Sequence, residues 1–176
     1  IGHDAKNVEG ADLIVVSAAI AKSNPEYAAA ISAGIPIAAR ATALSWLLSE
    51  SKSVAVAGTH GKTTTTAMLT VALQAAGADP SFAIGGTINS AGTNAHSGSG
   101  DVFVVEADES DGSFLAYKPL GAIITNIELD HVDHFTSENQ LFATFADFVR
   151  SINNIESELD NITQATKADN NKDRLR

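Results

Sequence analysis

The stretch Ala57-Gly58-Thr59-His60-Gly61-Lys62-Thr63-Thr64 constrains this chain more than any other. It follows the apolar run Val54-Ala55-Val56-Ala57 and precedes a helix expected from Lys62 to Ala76, closed by Gly77 with Pro80 beyond it. Strand, glycine turn and helix in that order are the context of a phosphate-binding loop. The glycines let the backbone curl so that amide N–H groups converge, and the helix start adds its positive end. Lys62 is placed to reach the β- and γ-phosphates of a nucleotide, and the Thr63 hydroxyl to bind its Mg²⁺. The general pattern G-x-x-x-x-G-K-[ST] is one glycine short, because Val56 stands where the first glycine belongs. A loop shorter than usual is expected.

Around this turn the periodicity is that of alternating strands and helices. Leu13 to Val16 reads as a strand buried on both faces, and Asn24-Pro25-Glu26 as a helix start, with Asn24 as N-cap and Gly34 as terminator. Ile35 to Ala38 reads as a second strand and Ala41 to Glu50 as a second helix, giving βαβα, the end of a doubly wound sheet. The polar Ser51-Lys52-Ser53 marks a boundary near residue 51, after which the pattern starts afresh. Ser81 to Ile84 is strand-like, Gly85 to Gly100 reads as a loop, and Val102 to Val105 as a buried strand running into Glu106. Ala122 to Thr125 is the next strand. Ser137 caps a helix with Leu141, Phe142, Phe145, Phe148 and Val149 on one face. Residues 153–176 are Asn-rich without aromatics, and Ile152, Ile155, Leu159 and Ile162 outline a short amphipathic helix in an otherwise disorder-prone tail.

Charge and composition narrow the chemistry. A formal charge of −10 argues against general nucleic-acid binding, although a local anion site is compatible with it. There is no Cys, so disulfides, thiolate metal sites and cysteine nucleophiles are excluded, and a reducing, cytoplasmic compartment is expected. No apolar stretch approaches the ~18 to 20 residues that span a bilayer. The start Ile1-Gly2-His3-Asp4 has no initiator Met and reads as a cut.

Seven acids fall into two clusters that each follow a strand: Glu106, Asp108, Glu109 and Asp111, then Glu128, Asp130 and Asp133. The carboxyl ends of strands are where open α/β sheets bind ligands. Glu106, the first acid after its strand, is the expected second protein ligand for a nucleotide's Mg²⁺, whereas Asp108 and Glu109 read equally well as solvated loop acids. Asp130-His131 pairs an anionic oxygen with an imidazole, a combination suited to a divalent cation.

With these residues in place, the chain resembles the Mur ligase family, which joins amino acids to carboxylates at the expense of ATP. The resemblance rests on Gly58-Thr59-His60-Gly61-Lys62-Thr63-Thr64-Thr65-Thr66, Gly85-Gly86, Ser90-Ala91-Gly92 with Asn94-Ala95-His96, Glu106-Ala107-Asp108-Glu109-Ser110-Asp111, and Thr125-Asn126-Ile127-Glu128 with Asp130-His131. It runs from about residue 2 to residue 152. The resemblance implies an α/β chain: residues 1–50 as the end of a Rossmann-like UDP-sugar domain, 51–152 as the first part of a P-loop-type parallel-sheet ATPase domain, both incomplete, and 153–176 as an atypical tail.

His60 narrows the resemblance to two branches that share this loop, and Ser110 and the surroundings of Asn126 favour the one acting on UDP-N-acetylmuramate and L-alanine; the branch that recycles murein tripeptide, or a nucleotide-binding module without catalysis, are the alternatives. ATP and Mg²⁺ are the implied cofactors, with Gly58 to Thr64 on the nucleotide, Lys62, Glu106 and His131 catalytic, and Thr63, Glu106 and His131 on metal. Ser90, Asn94 and His96 are implied to touch the muramic acid. Small-molecule substrates are expected, with no nucleic acid and no membrane insertion. The chain alone is expected to bind nucleotide without turnover, and Lys62→Ala to abolish binding with the fold intact.

Overall fold

The computed structural model describes residues 2–88, 92–110, 112–129, 135 and 137–152. The tail and its expected short helix lie outside the described residues. Among the described residues there are two separate sheets.

In the first, β1 (Ile14–Val16) pairs in parallel with β2 (Ile37–Ala39), and α1 (Pro25–Ala33) makes the crossover. The expected caps are in place: Asn24 accepts the amides of Glu26 and Tyr27, and Gly34 ends the helix in the left-handed region at φ 68°. A short 3₁₀ turn, Ala5–Val8, which sequence periodicity does not reveal, is tied to α1 through His3 and Asn7, both bonded to Glu26. Then α2 (Arg40–Ser49) leads directly into the second sheet.

That sheet has the order β5-β4-β6-β3-β7. β3 (Lys52–Ala57), β4 (Ser81–Ile88), β6 (Val102–Glu106) and β7 (Gly121–Ile124) are parallel, and β5 (Thr93–His96) is an antiparallel edge strand. Here the expectation of a loop from Gly85 to Gly100 is corrected. β4 runs on to Ile88 and pairs back with β5, with a register shift between Ala83 and Ile88. A Gly- and Asn-rich edge has little intrinsic β preference and no apolar alternation; backbone pairing between β4 and β5 holds it extended, with β4 anchored on β6 through Ser81 to Ala83.

The sheet is covered on both faces, and the alternation along β6 shows how. Phe103 and Val105 join Leu48 of α2, Phe114 and Tyr117 from the loop after β6, and Leu141, Phe145 and Phe148 of α4 (Glu138–Ser151). Val104 points the other way, to Phe82, Ile84 and Ile88, under Ala67, Leu69 and Leu73 of α3 (Lys62–Ala75). Phe114 stacks on Phe148 at 4.7 Å and meets Phe145 edge-on at 5.4 Å, which fastens α4 to the sheet. Phe142 departs from expectation and is 49% exposed, because the buried stripe follows positions 141, 145 and 148, leaving residue 142 about 100° round the helix. In α3 the buried Thr66 and Thr70 hydroxyls donate to the carbonyls of Lys62 and Thr66, one turn back, so no unsatisfied hydroxyl enters the core. No described helix is long and apolar enough to cross a membrane.

Candidate nucleotide-binding site

β3 ends at Ala57 and α3 begins at Lys62, so the turn between them is only Gly58-Thr59-His60-Gly61. Both glycines have backbone conformations that other residues resist, φ 127° at Gly58 and φ 81° at Gly61. Space decides at Gly58 as well: a Cβ there would lie 2.1 Å from Thr125 Oγ1 and 2.8 Å from the Asn126 carbonyl. At the missing first glycine, Val56 is fully buried within β3, so the strand continues where a longer loop would have opened.

The turn is stitched to the segment that follows β7. The Thr59 hydroxyl donates to the Glu128 carbonyl at 2.9 Å and accepts from its amide at 3.0 Å, while the Thr59 amide donates to the Asn126 carbonyl. The His60 amide donates to Asn126 Oδ1 at 2.9 Å, and Thr125 Oγ1 donates to the His60 carbonyl at 2.6 Å. This refines the expectation that the loop amides converge on one concavity. The amides of Thr59 and His60 hold the turn in place, and the donors left for an anion are those of the first turn of α3, Lys62 to Thr64, which have no intrahelical acceptor in any helix start. Asn126 and Thr125 are thus scaffold for the turn, and so is Glu128 through its backbone.

Two side-chain pairs complete the edge. Thr63 Oγ1 donates to Glu106 Oε1 at 2.9 Å, and the other oxygen, Oε2, accepts from the Gly85 amide at 2.7 Å. Gly85-Gly86 makes this possible: a Cβ at residue 85 would stand 3.1 Å from Oε2 of Glu106, and one at residue 86 would be 2.8 Å from the Thr63 methyl. The second pair was hidden in the sequence. Lys62 Nζ lies 2.9 Å from Oε2 of Glu109, a carboxylate with no exposed side-chain surface. Of the two readings open for Glu109, the solvated loop acid is therefore excluded; nothing in the local sequence set it apart from the other acids of its cluster. Asp108 next to it accepts from the Ser110 amide.

The remaining expected residues divide. Asn94 joins Glu106, Asp108, Arg40 and Tyr117 around a cleft of ≈250 Å³ between α2 and the sheet edge. His96 is elsewhere: its Nε2 lies 3.1 Å from Asp79 Oδ1, and its ring packs tilted on Phe82, whose register partner Val104 stands two residues before Glu106. Asp79 also accepts from the amide and hydroxyl of Ser99. These bonds, the Ser99 amide first and His96 next, hold its carboxyl below the usual value. Ser90 and His131 lie outside the described residues. Among the described residues no three His, Asp or Glu side chains gather to hold a metal by themselves.

A Mur ligase middle-domain model matches residues 56–174, and a second one, Mur ligase family, catalytic domain, matches residues 1–52. The UDP-N-acetylmuramate–L-alanine ligase of Nocardioides sp. is 51% identical over 152 residues, which are 86% of this chain and 34% of that protein. The chain thus spans about a third of the length of such relatives. Among solved structures, the UDP-N-acetylmuramate–alanine ligase of Thermotoga maritima superposes with a TM-score of 0.78 at 33% identity, covering 86% of this chain and 36% of that one. The UDP-N-acetylmuramate:L-alanyl-γ-D-glutamyl-meso-diaminopimelate ligase of Neisseria meningitides does so at 0.74 and 32%, covering 86% and 52%. Since the middle-domain match alone takes in more than half of the 176 residues, the chain belongs to the Mur ligase family.

Proposed function

We propose that this chain carries the nucleotide site of an ATP-dependent ligase that adds L-alanine to UDP-N-acetylmuramate. Residues 1–50 are read as the end of the UDP-sugar domain and 51–152 as the first part of the ATPase domain. The observation that carries the reading is the convergence at one sheet edge of Lys62, a helix start, and the Thr63 hydroxyl 2.9 Å from Glu106. The choice of substrates rests on the relatives.

The chemistry has one central demand. In the proposed first step the lactyl carboxylate attacks the γ-phosphorus, the bond to ADP breaks, and an acyl phosphate forms; the amine of L-alanine then attacks the acyl carbon and phosphate leaves. A carboxylate has to approach a polyphosphate, so repulsion must be offset before the bond can form. Lys62 and the α3 amides do this from the turn side. The donor set Thr63–Glu106, a neutral hydroxyl and a carboxylate, fits Mg²⁺, which commonly takes one or two protein oxygens and fills its shell with phosphate and water. Bound there, Mg²⁺ would neutralise phosphate charge. Gly85 fixes the Glu106 carboxylate in orientation by its amide, and Asn94 and Arg40 line the adjoining cleft, the space this reading gives to the acceptor carboxylate. By family resemblance His131 adds to the metal site, and Ser90 to the sugar side.

The test is nucleotide binding followed by a Mg²⁺ titration. Glu106→Gln keeps the shape and the Gly85 contact but removes a metal charge, so the Mg²⁺ midpoint for ATP binding shifts to higher concentration while melting in the absence of ligand changes little. An unmoved midpoint removes Glu106 from the metal site. For the substrates, a form extended to the length of the relatives releases phosphate only with UDP-N-acetylmuramate and L-alanine together. Release that requires L-alanyl-γ-D-glutamyl-meso-diaminopimelate selects the recycling ligase instead.

A further inference from the structure

The Lys62 ammonium already has acceptors for all its protons. It donates to Oε2 of Glu109 at 2.9 Å, to the Gly58 carbonyl at 2.8 Å and to the Thr59 carbonyl at 3.4 Å, and an ammonium has three N–H bonds to give. The side chain is folded back over the turn and only 11% exposed. A phosphate can therefore engage Lys62 only by displacing something.

We propose that Glu109 is a positioning residue that competes with nucleotide phosphate for the Lys62 ammonium, so that polyphosphate enters by exchange with a carboxylate already in place. The inference rests on reading Lys62 as the phosphate-binding lysine. Three features make Glu109 the partner that is exchanged. It is fully buried, so phosphate brought to Lys62 faces an anion that water does not screen. Its backbone is fixed, since its carbonyl accepts from the Gly112 amide at 2.9 Å, just before a 3₁₀ turn (Ser113–Ala116) anchored by the buried Phe114. Lys62, in contrast, sits on a four-carbon stem that can swing its charge outward. The carbonyls of Gly58 and Thr59 are neutral and oppose an incoming anion less than the carboxylate does. Glu106 and Asp108 at the same edge add to the negative surroundings, so the anionic edge keeps Lys62 parked until a competing anion arrives.

The experiment measures binding of inorganic tripolyphosphate, in EDTA to exclude any metal bridge, to the 176-residue chain by calorimetry. Glu109→Gln removes the competing charge while keeping the side-chain shape, and is expected to tighten binding about tenfold or more. A purely structural Glu109 would lower thermal stability with no gain in affinity. Binding by the wild-type chain that Glu109→Gln leaves unchanged or weakens overturns the exchange and leaves the phosphate site standing. Absence of binding in both chains overturns the reading of Lys62 itself. Should the variant fail to fold, the wild-type chain gives the answer by NMR. The carboxyl carbon of Glu109 is expected to shift along the tripolyphosphate titration with the same midpoint as the Lys62 ε-methylene, and a Glu109 signal that stays still while Lys62 moves overturns the proposal.

Discussion

Replacing Gly58 by Ala tests how the turn is held. At φ 127° any L side chain is strained, at a cost of ~1–2 kcal/mol. The new Cβ would lie 2.1 Å from Thr125 Oγ1 and 2.8 Å and 3.0 Å from the carbonyl and amide of Asn126. Thr125 cannot rotate away freely, because Oγ1 donates its one proton to the His60 carbonyl at 2.6 Å, with the Ala57 carbonyl the second acceptor in reach at 3.2 Å; losing that bond costs ~0.5–1.5 kcal/mol. Asn126 cannot retreat without pulling on Thr59 and His60, and forcing an extra carbon into a filled site costs ~1–3 kcal/mol. The sum, discounted for overlap between these effects, is about 3–5 kcal/mol. Gly77→Ala is the control. It has φ 85° but nothing within 4 Å of the added carbon, so only the strain of ~1–2 kcal/mol remains. Urea unfolding of the two variants, compared at equal m-value, reads the difference directly. If Gly58→Ala is no more than about 1 kcal/mol less stable than Gly77→Ala, the turn is not braced by Thr125 and Asn126 as described.

Lys62→Ala is expected to weaken the fold as well as nucleotide binding, contrary to the expectation from sequence: it leaves the buried Glu109 without its ammonium, a loss of ~3–5 kcal/mol that urea unfolding measures, whereas Glu109→Gln costs less because Lys62 can turn to solvent. Phe148→Ala removes a fully buried ring stacked on Phe114 and is expected to cost ~3–5 kcal/mol, visible as a lowered thermal midpoint with nucleotide affinity per folded molecule unchanged. Asp79 has its carboxyl held below its ordinary value of 3.8, so its stabilising contribution is present above that value and is lost as pH falls through the lowered one. Asp79→Asn is accordingly less stable than the wild type at neutral pH, and the two unfolding curves converge in strong acid; a gap that persists unchanged to the lowest pH contradicts this sign.

What the sequence alone determined here is local. The caps at Asn24, Gly34 and Ser137, the strand-turn-helix around Gly58 and Lys62, and the placement of Glu106 at a strand end each depend on a few neighbouring residues whose conformational preferences and periodicity are readable in order. Because parallel strands present their carboxyl ends at one edge, Lys62, Thr63 and Glu106 could be brought together from the pattern alone. Tertiary structure decided everything that depends on strand order. With β3 between β6 and β7, the turn after β3 has Glu109 on one side and Thr125 to Glu128 on the other, partners 47 and 65 to 69 residues away. No local signal announces such pairings, so Glu109 read equally well as a solvated acid, and Asn126 gave no sign of bracing the turn. The same applies to β5, held extended by its neighbour, and to His96, carried by that strand to Asp79 and away from the turn. Burial converts a sequence of interchangeable loop acids into one fixed carboxylate at Glu109, and only the packed chain shows which acid that is.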